Sequence, residues 1–391
     1  MLDFAFSMPT RIIFGSGAQS LLEQELNEQR ATSVLLVYGR ASARQNGSYH
    51  EITALLEARG VRYFEHAGCK ENPDDAFVGE GARLAQAHGV DLILAIGGGS
   101  VIDASKAIAL LAGNRHDDIW AYQQDRPRFN LPALPLGVVL TTTGTGTEVN
   151  GGFVITRASN NEKVAFSSLS TRPRFAYCNP DFTISLPPHV LADNYTDILS
   201  HLLEQYFSME ETIGLVDAMI LEAIHYLVRN MEGLKSWKDS YSVRANTMFA
   251  STISLSYLFS CGKKVPWILH YLVHALSAHR SVSHGAALRV IMPGWLVWLS
   301  DTPVYAVRVQ HLVDKLDLPA ASQLGRYFED HFALIGGNAQ PELSSGEKDA
   351  VIATLMADTQ FLTRANLGEG DLRCILDWEH GCPTGVSLGL K

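Results

Sequence analysis

Between Val34 and Leu140, short apolar-rich runs alternate with helical stretches, and this alternation constrains the fold more than any other feature of the chain. Val34–Tyr38, Leu92–Ile96 and Leu136–Leu140 are too short for helices and apolar at consecutive positions, as strands buried on both faces are. Val61–Phe64 is a shorter run of the same kind. Tyr49–Arg59 has an amphipathic spacing that stops at Gly60, and Asp74–His88 lies between Pro73 and Gly89, as helices begin and end. Strand and helix in strict turn predict a parallel sheet with helices on both faces.

The pattern changes after Leu140. Phe153–Thr156 and Arg174–Tyr177 flank the polar stretch Arg157–Lys163 and are expected to form a hairpin or excursion. Leu186-Pro-Pro188 breaks the chain, and helical patterns dominate beyond it: Leu191–Phe207, Ile213–Asn230, Ser242–Phe259, Val265–Ala278 and from Gly285 onward. Gly336–Glu347 is polar and rich in Gly, Pro and Ser, so an exposed loop is expected there. At 391 residues the chain exceeds one ordinary core. The expected division is an α/β domain over 1–187 and an all-helical domain over 188–391.

Composition narrows the classes of function. A net charge of −10 without a Lys/Arg-rich run argues against nucleic acid or an anionic membrane as partner. No apolar run approaches the ~20 residues that span a bilayer, and the first residues lack the pattern of a secretory signal. Cys69, Cys178, Cys261, Cys374 and Cys382 form no C-x-x-C pair, which points to a reducing cytoplasm and away from a cysteine-ligated zinc site.

Two segments could receive a dinucleotide. Gly97, Gly98, Gly99 and Ser100 follow the Leu92–Ile96 strand and open a helix, whose free N–H groups and positive dipole end suit a pyrophosphate. Ser100 reads as the N-cap, with Asp103 three residues on as in a capping box. The glycines alone fit a plain strand–helix turn equally well. Thr141-Thr-Thr-Gly-Thr-Gly-Thr-Glu148 follows the next strand, at the carboxyl end where ligands of open α/β sheets bind, though alone it reads as a polar loop.

The helical half carries an array of a different kind. Asp197 and His201 are four residues apart and share one helix face; so do His270 and His274. His284 follows a Ser-rich turn that can bring it back toward the same point, while His279 fits a solvent-facing or supporting position. Three imidazoles and a carboxylate suit Fe²⁺ or Zn²⁺. A lone histidine on an apolar helix is usually a packed residue, but four within fifteen residues favour a metal.

From Pro9-Thr-Arg-Ile-Ile-Phe-Gly-Ser-Gly-Ala18 to about Pro293, these segments together resemble the iron-containing alcohol dehydrogenase family, in its NADPH-dependent aldehyde reductase and butanol dehydrogenase branch. The resemblance implies a dinucleotide-binding α/β domain and an all-α metal-binding domain, a fold shared with dehydroquinate synthase. It implies hydride transfer between NAD(P)(H) and a small primary alcohol or aldehyde, one divalent metal, and a cytoplasmic homodimer. By position it puts the metal on Asp197, His201, His270 and His284, and a proton relay on His274. The cofactor falls on Gly97, Gly98, Gly99, Ser100, Asp103, Thr141, Thr142, Thr145, Asn150, Lys163 and Asn72. Where NAD-preferring relatives carry an Asp after the strand equivalent to Val34–Tyr38, this chain has Gly39, with Arg40, Ser42 and Arg44 beside it. Losing that carboxylate removes repulsion against a 2′-phosphate, so NADP(H) is expected over NAD(H).

Phe153, Trp267 and Leu272 are candidates for an apolar substrate wall, though each is more often simply core. Asp371–Lys391 departs from the family's usual helical ending. A lyase or cyclase similar to dehydroquinate synthase is the rival on the same fold, and a non-catalytic metal-binding homologue is another. A metallohydrolase lacks an H-E-x-x-H base and needs no glycine turn.

Overall fold

A computed structural model describes residues 2–122, 131–160, 162–208, 214–335 and 342–378. In chain order its strands are β1 (Arg11–Phe14), β2 (Ser33–Tyr38), β3 (Arg62–Ala67), β4 (Leu92–Gly97), β5 (Leu136–Leu140), β6 (Gly152–Arg157), β7 (Glu162–Ser167) and β8 (Phe175–Cys178). The helices between the strands are α1 (Gln19–Gln29), α2 (Ser42–Gln45), α3 (Ser48–Ala58), α4 (Asp75–Ala87) and α5 (Gly99–Gly113). After β8 come α6 (Pro188–Tyr206), α7 (Gly214–Asn230), α8 (Tyr241–Ser254), α9 (Ile268–His279) and α10 (His284–Asp301). The last are α11 (Ala306–Lys315), α12 (Leu324–Leu334), α13 (Ser345–Ala357), α14 (Thr359–Ala365) and α15 (Glu369–Leu376). Two compact units emerge: a sheet unit of Ser7–Leu186 with Ser236–Tyr257, and a helical unit of Met1–Phe6, Pro187–Lys235 and Leu258–Lys391.

The sheet unit is built on a parallel sheet in the order β1-β8-β5-β4-β2-β3. Strands β2, β4, β5 and β8 are buried along their whole length, which is why their sequences are apolar at consecutive positions. The chain runs outward from β2 to β3, then returns to the other side of β2 with β4. The strand order therefore reverses between β2 and β4, the place where open sheets of this kind leave a crevice at their carboxyl ends. Tyr38 pairs with Ile96 there, so Gly39 and the glycine turn after β4 emerge side by side.

Helix α8 belongs to this unit through specific contacts. Its Ser251 hydroxyl accepts from Gly144 N–H at 2.7 Å, Arg244 bonds Asp181 at 2.8 Å, and Phe249 packs edge-on to Phe14 at 5.7 Å.

Several sequence expectations need correction. The hairpin exists, but β6 pairs antiparallel with β7, and Phe175–Cys178 is instead an inner strand of the parallel sheet between β1 and β5. The wholly buried Phe-Ala-Tyr-Cys run has no polar face to give a hairpin arm. Ser100 is not the N-cap of α5; Gly98 is, in an extended conformation. Asp103 accepts instead from Thr147 Oγ1 at 2.9 Å and Val154 N–H at 3.0 Å, so tertiary donors replace the capping box. Within the expected 336–347 loop, Ser344 and Glu347 form a capping box that starts α13, while 336–341 lie outside the described residues. In the unusual C-terminal stretch, Glu369–Leu376 is helical, Trp298 bonds Asp371 at 3.1 Å, and 379–391 lie outside the described residues. Cys374 is disulfide-bonded, against the expectation of unpaired thiols, whereas Cys69, Cys178 and Cys261 are free. Among the described residues no helix is long and apolar enough to cross a membrane.

In the helical unit His331 is buried and its Nε2 lies 3.0 Å from Tyr195 Oη. Burial pushes its pKa down from 6.5 to about 4. The unfolded chain then binds a proton that the folded one refuses, so stability is full above pH 6.5 and drains away as pH falls toward 4. Denaturant titrations of the wild type should lose on the order of 3 kcal/mol across that window, and His331→Gln should flatten the slope. An unchanged slope in the variant would place the acid sensitivity elsewhere.

Candidate functional site

Helix α6 presents residues 193, 197, 201 and 204 on one face, because steps of four, four and three follow the helical repeat. Asp197 sits in the middle. Its Oδ1 lies 3.4 Å from His201 Nε2, 3.7 Å from His270 Nε2 and 3.4 Å from His284 Nε2. Candidate ligand atoms of Asp197, His201 and His270 all fall within 4.8 Å of one another. The His201 and His270 rings stack at 4.9 Å, and His284 approaches His270 at 5.2 Å.

The electrostatics are those of a cation site. Asp197 Oδ1 and His270 Nε2 are buried with no hydrogen-bond partner, an uncommon state for polar atoms unless something else satisfies them. Burial opposes the charge on Asp197, but His201, His270 and His284 hold its carboxyl well below the usual range. Burial likewise opposes a charged His270, yet Glu204 and Asp197 prevail and raise it to about 10. One carboxylate and three imidazoles whose free atoms converge fit a first-row divalent ion in donor type and number.

Two of the imidazoles, His284 and His270, are positioned by carboxylates on α6. His284 opens α10 and is flanked by Ser283 and Arg289, which bond Asp193 at 2.5 and 2.7 Å. Gly285 lies so close to α6 that a Cβ would come within 2.3 Å of Asp193 Cα. His270 lies in the first turn of α9, where Glu204 bonds both its Nδ1 and the Leu269 N–H. Sequence reasoning passed over Glu204 and Asp193. Their spacing from Asp197 was readable, but their partners on α9 and α10 were not.

The other histidines sort differently. His274 is half-buried one turn along α9, its ring 5.6 Å from that of His284. His279 is exposed and lies 3.0 Å from Thr354 Oγ1. Of the apolar candidates, Trp267 stands edge-on to His270 at 5.4 Å and to His201 at 6.3 Å. Leu272 is core of the helical unit, and Phe153 is core of the sheet unit, stacked on Phe166.

In the sheet unit the glycine turn and the threonine segment meet. A Cβ on Gly98 would lie 2.3 Å from Thr142 Cγ2, and one on Gly99 would lie 2.6 Å from Thr145 Cγ2. Gly97 is fitted against Val101 and accepts from Thr141 N–H at 3.1 Å. Asn150 turns inward: its amide donates to Gly146 O at 3.1 Å and accepts from Gly152 N–H at 2.9 Å. Lys163, paired with Thr156 across the hairpin, is half-buried; desolvation lowers its pKa and Glu71 partly opposes that. Asn72, in the left-handed region at φ 53°, precedes Pro73, whose carbonyl accepts from Thr156 N–H.

At the end of β2, Gly39 is followed by exposed Arg40 and Ser42. Arg44 is less available than its sequence position suggests. It bonds Tyr38 Oη at 2.9 Å and Glu65 at 3.0 Å, and lies over the Tyr49 ring at 4.2 Å.

A sheet with a glycine turn at its reversal point and a carboxylate–imidazole cluster in a separate helical unit together define a narrow class of protein. Residues 9–180 match the family model described as iron-containing alcohol dehydrogenase, and residues 191–326 match the C-terminal model of that family. The chain belongs to the iron-containing alcohol dehydrogenase family. It is 35% identical over 304 residues to NADH-dependent butanol dehydrogenase A of Clostridium acetobutylicum, 76% of either chain. It is 32% identical over 325 residues to an NADPH-dependent aldehyde reductase of Escherichia coli, 81% of this chain and 82% of that one. The crystal structure of NADH-dependent butanol dehydrogenase A from Thermotoga maritima superimposes with a TM-score of 0.85 at 27% identity, covering 96% of this chain and 98% of the other. The likeness thus runs past Pro293, where the sequence resemblance faded.

Because Gly285 has no room for a methyl group, Gly285→Ala is expected to destabilise the fold by about 1–3 kcal/mol. Gly346, in the first turn of α13, has nothing within 4 Å of a built Cβ. Gly346→Ala should therefore be neutral or stabilising by up to ~1 kcal/mol. Chemical denaturation of the two variants checks the contrast, and equal midpoints would contradict it.

Proposed function

We propose that this protein transfers a hydride between NADP(H) and a small primary alcohol or aldehyde, with one divalent ion, Fe²⁺ or Zn²⁺, held by Asp197, His201, His270 and His284. The observation that carries this reading is the convergence of the three imidazole Nε2 atoms at 3.4–3.7 Å from Asp197 Oδ1, in a chain of this family. A bound ion supplies Lewis acidity toward the substrate oxygen, and a bound nicotinamide supplies or takes the hydride.

The remaining work falls to the chain itself. Asp197 stays ionised and offers the one negative charge among the ligands. Trp267 gives an aromatic edge beside His201 and His270. His274, close to the cluster but outside it, moves a proton at an imidazole nitrogen. In the sheet unit, Gly97, Gly98, Gly99 and Ser100 let a pyrophosphate approach the N-terminus of α5. Thr141, Thr142 and Thr145 line the adjoining strand end, Lys163 serves the nicotinamide ribose, and Asn72 stands on a loop beside the cofactor. Asp103 and Asn150 keep that loop in shape through the bonds described above.

The cofactor preference rests on the end of β2. Gly39 offers no carboxylate to repel a 2′-phosphate, and exposed Ser42 and Arg40 offer donors. Arg44 contributes chiefly by neutralising Glu65. The named relatives include both NADH- and NADPH-dependent enzymes, so this end of the strand is where the preference has to be decided.

Two experiments test the reading. Asp197→Ala should lose bound metal and alcohol oxidation together, whereas His274→Ala should keep the metal and lose about 10²–10⁴ in rate. Metal analysis beside steady-state kinetics decides, and loss of metal in His274→Ala would move that residue into the ligand set. With an aldehyde as substrate, kcat/KM should favour NADPH over NADH. Gly39→Asp should shift the ratio toward NADH by on the order of tenfold, one unfavourable charge contact. A Cβ at Gly39 meets nothing closer than 3.7 Å, so the variant should fold; a wild type preferring NADH would refute the assignment.

A further inference from the structure

Glu204 lies one turn beyond His201 on α6 and is 1% exposed. A carboxylate so deeply buried must be well bonded to justify its charge. Its Oε1 accepts from Leu269 N–H at 2.7 Å, and its Oε2 forms a hydrogen bond with His270 Nδ1. Leu269 is the second residue of α9, where backbone N–H groups lack intrahelical partners. The N-cap residue, Trp267, makes no side-chain bond to that turn. Glu204 therefore closes the open end of α9 from a neighbouring helix and grips the imidazole one residue further on.

The two bonds have a joint chemical consequence. An ionised carboxylate can only accept, so His270 Nδ1 must carry a proton, and Nε2 is the ring nitrogen left to supply a lone pair to a cation. That atom is buried, has no hydrogen-bond partner, and lies 3.7 Å from Asp197 Oδ1. We propose that Glu204 is a positioning residue for the cation site: it selects the Nδ1–H form of His270, fixes the ring relative to His201, and so sets the affinity of the cluster for a divalent ion. The inference rests on the reading of Asp197, His201, His270 and His284 as a metal site. It adds a residue that touches neither ion nor substrate.

Glu204→Gln separates positioning from simple helix capping. The amide oxygen can still accept from Leu269 N–H, but the amide nitrogen now donates toward His270 Nδ1 and favours a proton on Nε2. Purified full-length protein is stripped of metal, and Zn²⁺ affinity is measured by competition with a chromogenic chelator, alongside thermal unfolding of the metal-free form. The expected result is an unchanged melting point with Zn²⁺ affinity lowered about 10- to 100-fold, as partners of this kind usually contribute. In a His270→Ala background, Glu204→Gln should cost no further affinity. Wild-type affinity in Glu204→Gln overturns the inference, as does an affinity loss matched by a fall in metal-free melting point, or an equal loss without His270. A wild-type chain that binds no Zn²⁺ or Fe²⁺ instead overturns the underlying metal reading.

Discussion

One negative charge inside the helical unit fixes the arrangement around it. Asp197 is buried, and burial alone would drive its carboxyl toward the neutral form. The three imidazoles facing it reverse that outcome, so α6, α9 and α10 are drawn to a single point. Along the same face of α6, Asp193 takes hold of Ser283 and Arg289, and Glu204 takes hold of the start of α9. One helix face thereby sets the position of two others, and the ring nitrogens arrive together because the backbones that carry them are tied in place.

The sheet unit solves a different problem, which is to bring two loops close without side chains in the way. Gly98 and Gly99 allow Thr142 and Thr145 to pack directly on the turn after β4. Behind them Lys106 is fully buried and bonds Thr147 and Gly152 at 2.6 and 2.7 Å. Burial lowers its pKa to about 8 against the pull of Asp103 and Glu148. This ammonium gathers the loop around α5 in the way a bound ion would, and it leaves the outer faces of the threonines free of that task.

Much of this was written in local spacing. Strands buried on both faces appear as unbroken apolar runs, so β2, β4 and β5 were legible. The four-residue steps that bring Asp197 to His201, and His270 to His274, were legible for the same reason. What escaped depended on partners far along the chain. Phe175–Cys178 looked like a hairpin arm because its neighbour β1 lies at the other end of the unit. Ser100 and Asp103 had the form of a capping box, but Thr147 and Val154 outcompete the helix terminus for that carboxylate. Glu204 shares the spacing of the ligands, yet only its distance to His270 reveals what it does. Short-range rules locate the groups that act; the groups that hold them still are chosen by tertiary contact.

Trp267 is the one bulky aromatic at the head of α9, and its backbone is held at φ 57°, a conformation such residues seldom adopt. Its indole stands edge-on to the rings of both His201 and His270. The chain has thus placed a natural fluorophore within touching range of the histidine cluster. Its emission is open to quenching by an imidazolium or by a paramagnetic ion, which makes this indole an internal optical gauge of what those rings hold.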